Sequence, residues 1–243
     1  MRYQGGKTKV AKNISETIMK NLNGGERKYE TFISLFCGAC SVETKLVPYF
    51  QKTICNDKHN YLIALYKALQ NGYIPPDYIT EEEYKRVKEN INSEPPEYVG
   101  FVGFGSSFGG KWFGGYGKSK KGNGEIRWHS EETKRALLRD IKILNDVEFT
   151  CKDYRDVEIP SGSVIYCDPP YANSTTYKGF EKFDINEFWN YMRVISKDNL
   201  VFISEQTAPD DFECIWQKSV KRTLDSNKNN QIKAIEKLFI YNM

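Results

Sequence analysis

Thr31-Phe32-Ile33-Ser34-Leu35-Phe36-Cys37-Gly38-Ala39-Cys40-Ser41-Val42-Glu43 is the stretch that decides the fold. Residues 31 to 36 are an apolar run of strand length, Cys37 to Cys40 form a tight turn of small residues, and Ser41-Val42-Glu43 opens a helix. Next comes Thr53-Ile54-Cys55, a second short strand that ends at Asn56-Asp57. An acidic residue at a strand tip about twenty residues beyond a glycine-containing turn is the arrangement that grips ribose hydroxyls in doubly wound sheets. Gly38 is the only glycine of this turn, so the full dinucleotide fingerprint is missing. A pyrophosphate needs several close backbone approaches, whereas an adenosyl ligand without phosphates can sit beside one glycine and small neighbours.

Further along, the apolar run Val164-Ile165-Tyr166-Cys167 leads into Asp168-Pro169-Pro170-Tyr171. Taken alone, those four residues also read as an ordinary turn after a buried strand. Their chemistry suits a conjugated amino group, whose lone pair is shared with its ring and which attacks a methyl sulfonium only when that conjugation is relieved. Asp168 offers a carboxylate oxygen to one amino hydrogen. The Pro169 carbonyl, in a segment stiffened by two fixed φ angles, offers an acceptor to the other. Tyr171 supplies a ring face for a base swung out of its stack.

The 243 residues, 40% hydrophobic and 28% charged, suit one globular domain with an insertion or two small domains. No run approaches membrane-spanning length, and a soluble, intracellular protein is expected. Six cysteines lie mostly in strand-like segments, which fits free thiols in a reducing compartment. Cys37 and Cys40 form a lone Cys-x-x-Cys with no second ligand pair, and His59 and His129 stand apart, so no metal site is expected. Gly5-Gly6-Lys7-Thr8 is not the end of a phosphate-binding loop, because no buried strand precedes it. Lys7 reads instead as a positive charge near the pocket.

A net charge of +3 does not announce nucleic acid, but Lys111, Lys118, Lys120, Lys121 and Arg127 cluster in one glycine-rich and aromatic stretch. The segment around it changes character. Residues 60 to 70 have helical spacing, Thr80-Glu81-Glu82-Glu83 is a capped start for a helix to about Ile91, and a further helix is expected from about Ser130 to Leu144. Between them, Gly103 to Tyr116 carries too much glycine for a regular strand and too many aromatics for a linker, and reads as a ligand-contacting insertion. Strands are expected at Glu148 to Cys151 and Asn199 to Ser204. A hairpin follows from Trp216 to Leu224 and Lys237 to Tyr241, around the polar run Asp225 to Gln231.

Taken in order, Tyr3-Gln4-Gly5-Gly6-Lys7, Phe36-Cys37-Gly38-Ala39-Cys40, Asn56-Asp57 and Asp168-Pro169-Pro170-Tyr171 resemble the DNA adenine-N6 methyltransferases of the Dam group, over almost the whole chain. Phe108 to Tyr116 is similar to that family's recognition hairpin, and Glu236 to Asn242 to its last strand. The resemblance implies an α/β fold: a Rossmann-like, mainly parallel seven-stranded methyltransferase sheet with an inserted, mostly helical DNA-binding domain. Residues 1–59 and 147–243 would then be catalytic, and 60–146 would recognise the target.

The resemblance also implies S-adenosylmethionine as donor and double-stranded DNA as partner, with no membrane and no obligate protein partner. Tyr3 and Lys7 would line the cofactor and target pocket, Phe36 and Gly38 would border the methionine part, and Asp57 would take the ribose. Asp153 and Tyr154 match the position flanking the cofactor's adenine, and Asp168, with Pro169 and Tyr171, matches the catalytic corner beside the cofactor. Lys111, Trp112, Tyr116 and Arg127 are the candidates for DNA contact. Two positions depart from the family: Tyr3 replaces the Trp of many members, and Cys40 stands where a second glycine is usual, a bulk expected to narrow the turn.

The expected activity is adenine-N6 methylation by base flipping and direct attack. Methylation of cytosine N4 or of RNA adenine, and a catalytically silent DNA-binding module of the same fold, are the alternatives that residues alone leave open.

Overall fold

Phe32 and Ile33 are neighbours in sequence and both are fully buried, which requires a strand covered on its two faces. The computed structural model describes residues 1–23, 29–120, 122, 124–170, 183–223 and 231–242. In chain order these form α1 (Ala11–Asn23), β1 (Thr31–Ser34), α2 (Glu43–Leu46), β2 (Lys52–Asn56), α3 (Asn60–Gln70), α4 (Glu81–Glu89) and α5 (Pro96–Gly100). They continue with β3 (Lys118–Lys120), β4 (Ile126–Trp128), α6 (His129–Asp140), β5 (Glu148–Thr150), β6 (Val164–Cys167), α7 (Ile185–Ile195), β7 (Leu200–Glu205), β8 (Phe212–Thr223) and β9 (Gln231–Tyr241).

The main sheet has seven strands in the order β5-β2-β1-β6-β7-β9-β8. The first five run parallel, while β9 is antiparallel to β7 and β8 antiparallel to β9. This is the mainly parallel α/β methyltransferase architecture. Chain order runs outward from β1 to β2 and β5 on one side, then returns to β6 on the other. The β1/β6 boundary is therefore the point where strand order reverses, and open α/β sheets bind ligands beyond the carboxyl ends of the strands at such a point. Register fixes the two strand ends side by side, with Ser34 opposite Tyr166 and the Leu35 N–H donating to the Tyr166 carbonyl at 3.1 Å.

Period-two alternation divides the side chains between two apolar layers. Phe32, Val164, Tyr166, Phe202 and Leu238 meet Val10, just before α1, and the Ile14, Ile18 and Leu22 stripe of α1 on one face. Ile33, Ile165, Cys167, Val201 and Ile203 meet Phe188, Trp189 and Met192 of α7 on the other. Neither α1 nor α7 was assigned from sequence, although the four-residue spacing of Ile14, Ile18 and Leu22 is helical. Helix α7 starts where the Asp184 carboxylate accepts the Asn186 and Glu187 N–H groups, at 2.9 and 3.1 Å.

The helix expected at 60 to 70 is α3, and Thr80 caps α4 by accepting the Glu83 N–H at 3.1 Å. The third expected helix ends earlier than Leu144, at Asp140. Residues 101 to 110 coil as a π-helical turn, Phe101–Gly105, and a 3-10 turn, Phe108–Gly110, so the glycine-rich stretch is irregular as expected. The two terminal strands pair as a hairpin whose connection, 224–230, lies outside the described residues. Among the described residues no helix is long and apolar enough to cross a membrane.

Phe188 is fully buried between α7 and the sheet. Phe188→Ala is expected to lower unfolding free energy by about 3–5 kcal/mol, read as a fall in the urea midpoint; a loss under about 1 kcal/mol would contradict this packing.

Candidate functional site

Beyond β1 the chain makes a turn that only special backbone geometry allows. Gly38 lies in the left-handed region at φ 47°, and a Cβ there would meet the Tyr3 ring at 3.0 Å. Cys40 is left-handed as well, at φ 52°, where a side chain is disfavoured. Its side chain is fully buried in the core cluster that holds Cys37, Cys55 and Tyr66, so the bulk expected to narrow the turn is taken up in that core. The Tyr66 hydroxyl also donates to the Gly38 carbonyl at 3.1 Å.

Asp57 closes the turn from the neighbouring strand. Its carboxylate accepts the Gly38 N–H at 3.0 Å and the His59 N–H at 2.9 Å. Burial pushes Asp57 up to about 6, although both N–H donors pull it down. Asn56 fastens the strand tips behind it: its amide nitrogen donates to the Leu35 and Lys152 carbonyls, and its oxygen accepts from the Thr150 hydroxyl and the Lys152 N–H.

Asp168 follows β6, the strand beside β1, and meets Lys7 from the amino-terminal segment at 2.5 Å. Lys7 is only 4% exposed. Its ammonium also faces Glu236 of β9 at 3.7 Å. Pro169 is buried and Pro170 exposed; Tyr171 lies outside the described residues. Glu205 ends β7, the strand on the far side of β6, and is 6% exposed. One of its carboxyl oxygens accepts the Gln206 N–H at 2.7 Å, and the other has no hydrogen-bond partner. Burial first, then the charges of Asp168 and Glu236, pushes Glu205 up to about 7, against the pull of Lys7.

The remaining residues singled out from sequence fall into two groups. Phe36 and Tyr154 stand ring to ring at 5.3 Å, with Phe188 against both. Asp153 beside them is held well below the usual carboxylate range by Arg155 and Lys58, its partners at 2.8 and 3.0 Å. In the insertion, Lys111 is exposed, whereas Trp112 stacks on Tyr61 at 5.4 Å and packs against Phe104 and Phe113. The Tyr116 hydroxyl donates to the Ile79 carbonyl at 2.6 Å, and Arg127 pairs with Glu132. Lys121 is outside the described residues.

The amino-terminal segment is bonded to residues 110 to 132. Gly110 accepts the Gln4 N–H at 3.2 Å, and Arg2 reaches His129 and Glu132 at 2.8 and 2.6 Å. Residues 2 to 7 therefore run from the insertion, past Gly38, to Asp168. Sequence reasoning missed Glu205 and Glu43, a second buried carboxyl that takes the Ser34 hydroxyl at 2.7 Å. A glutamate ending the apolar run Leu200 to Ser204 was the available signal for Glu205.

A family profile described as D12 class N6 adenine-specific DNA methyltransferase matches residues 3–102 and 105–207. The chain is 23% identical over 220 residues to the type II methyltransferase M.MjaIII of Methanocaldococcus jannaschii, covering 77% of this chain and 74% of that protein. It is 32% identical over 78 residues to a DNA adenine methylase of Serratia marcescens, covering 31% of this chain and 25% of that one. A DNA N-6-adenine-methyltransferase of Escherichia phage P1 is 26% identical over 203 residues, 77% of this chain and 26% of its own length.

Gly110 is left-handed at φ 69°, and a Cβ there would lie 2.5 Å from the Arg2 backbone. Gly110→Ala is expected to cost about 1–2 kcal/mol from conformation alone and to speed amide exchange at Gln4 by loosening the strap. Unchanged exchange at Gln4 would show that the segment does not depend on this contact.

Proposed function

We infer the chemistry from one premise: this chain belongs to the D12 class of N6 adenine-specific DNA methyltransferases. We propose that it flips an adenine out of double-stranded DNA and transfers methyl from S-adenosylmethionine to its exocyclic nitrogen by direct attack. The observation that carries the reading is the adjacency of β1 and β6, which sets the Gly38 turn and the Asp168-Pro169 corner on neighbouring strand ends.

The residues present fit the donor. The Gly38 turn leaves no room for a side chain against Tyr3, Asp57 offers a half-buried carboxylate at the tip of the next strand, and Phe36 with Tyr154 forms an aromatic wall. When bound, S-adenosylmethionine supplies a methyl group made electrophilic by its sulfonium. Asp57 accepts ribose hydroxyls, Gly38 and Phe36 border the methionine part, and Tyr154 flanks the adenine ring beside Asp153. Tyr3 and Lys7 line the pocket from the amino-terminal segment.

Asp168 accepts one amino hydrogen of the target base and the Pro169 carbonyl accepts the other, which localises the nitrogen lone pair for attack. Lys7 holds Asp168 ionised and oriented, and that carboxylate stabilises the positive charge developing on nitrogen. Tyr171 stacks on the flipped base. No protein nucleophile is required. Burial pushes the Cys37 and Cys167 thiols well above their ordinary range, which keeps both neutral and unreactive.

We assign catalysis to residues 1–59 and 147–243 and target recognition to 60–146. Support comes from the hairpin of β3 and β4, which carries Lys118, Lys120 and Arg127 beside the exposed Ile126. Lys111 and Arg127 would meet phosphates or bases, with Trp112 and Tyr116 shaping the surface beneath them.

Incubating unmethylated DNA with the protein and S-adenosylmethionine is expected to yield N6-methyladenine at a defined sequence; methylcytosine alone, or no product, would refute the reading. Asp168→Ala should slow transfer by at least about 100-fold while calorimetry still detects cofactor binding; wild-type turnover would remove Asp168 from the chemistry.

A carboxylate accepts ribose hydroxyls better ionised than protonated, and Asp57 titrates at about 6. Cofactor affinity should therefore weaken as pH falls through about 6, and Asp57→Asn should flatten that dependence. Equal affinity at pH 5 and pH 8 would contradict the ribose role.

A further inference from the structure

Transfer of methyl to an amino group leaves one proton too many. The nitrogen–carbon bond forms, the carbon–sulfur bond breaks with its electron pair on sulfur, and the methylated nitrogen must shed a proton to become neutral. Asp168 is the nearest base, but it is a poor final acceptor. Its carboxylate is bonded to the Lys7 ammonium at 2.5 Å, a partner that favours its ionised form.

The cluster around it contains a better one. Lys7 brings one positive charge from the amino-terminal segment, Asp168 a carboxylate from the end of β6, and Glu236 another from β9, 3.7 Å from the Lys7 ammonium. Glu205 closes β7, the strand between β6 and β9, two residues beyond Ile203, which pairs with the Cys167 that precedes Asp168. Lys237 of β9 stands opposite Glu205 in the strand register, its ammonium over the Phe239 ring at 5.9 Å. Glu43 of α2 acts on Asp168 from the other side, but its carboxyl is engaged by Ser34.

Glu205 differs from Asp168, Glu236 and Glu43 in one respect. Its Oε1 takes the Gln206 N–H, while its Oε2 is buried with no hydrogen-bond partner. A buried, unsatisfied carboxyl oxygen is costly. A proton on Oε2 lowers that cost by discharging the group.

We propose that Glu205 is the proton sink of methyl transfer, taking up the proton that leaves the methylated nitrogen by way of Asp168 and releasing it to solvent after the product departs. This rests on the adenine-methylation reading above. Glu205 does not touch the base; it acts through Asp168, restoring that carboxylate for the next turnover. Both the proton and the charge balance: the amino group loses one hydrogen, Glu205 goes from carboxylate to carboxylic acid, and Lys7 and Asp168 end as they began.

Glu205 can take a proton only when ionised, and it titrates at about 7. The single-turnover rate on unmethylated DNA at saturating S-adenosylmethionine should therefore rise with pH through about 7. Glu205→Gln should lower the plateau by about 10- to 100-fold and abolish the rise, with cofactor affinity by calorimetry unchanged. Glu205→Asp, which keeps a carboxyl, should restore part of the rate and of the pH dependence. A Gln variant with the wild-type rate and profile overturns the proposal. So does one that is slow but keeps the wild-type rise, because a merely structural role would do that. Wild-type protein that leaves adenine in DNA unmethylated overturns the parent reading and this proposal together.

Discussion

A buried ammonium needs a carboxylate, and the structure around the pocket follows from that requirement. Lys7 is removed from water, and an uncompensated charge there would cost several kcal/mol. Asp168 and Glu236 meet it from two strands, β6 and β9, that are separated in the sheet by β7. The pairing therefore ties the amino-terminal segment both to the end of β6 and to the middle of β9. It also favours the ionised form of Asp168, so one interaction both secures the amino-terminal segment and places a charge at the end of β6.

The same segment gives the insertion a route to the chemistry. Between Arg2 and Lys7 the chain is gripped by Gly110 and by the Arg2 contacts to His129 and Glu132, passes the Gly38 turn with the Tyr3 ring, and ends on Asp168. The insertion is also continuous with the sheet in its apolar packing, since Leu62, Leu65 and Tyr66 of α3 share a core with Cys37, Cys55 and Phe149.

Strand composition made the sheet legible. Buried parallel strands must be apolar on both faces, so β1, β2, β6 and β7 stand out as short hydrophobic runs, and the functional residues follow them at their carboxyl ends. Motif order then placed Gly38, Asp57 and Asp168 at those ends. What the sequence concealed was contact between distant segments. Nothing local joins Lys7 to Asp168 or Gly110 to Arg2, and Glu205 reads as a polar strand end until its neighbours across the sheet are known. Helix α1 was hidden for another reason: its apolar stripe is diluted by the lysines and asparagines of its exposed face.

Cys40 shows how the chain accommodates a local conflict by tertiary means. A left-handed cysteine costs about 1–2 kcal/mol relative to glycine, and glycine is the residue expected in such a turn. Burying the side chain in one core cluster with Cys37, Cys55 and Tyr66 removes its surface from water, a gain of similar size. That gain exists only if Tyr66 and Cys55 are already in place. Because Tyr66 also holds the Gly38 carbonyl, the shape of the Gly38 turn is coupled to the packing of α3. Glycine would leave the turn free to relax; cysteine ties its geometry to α3.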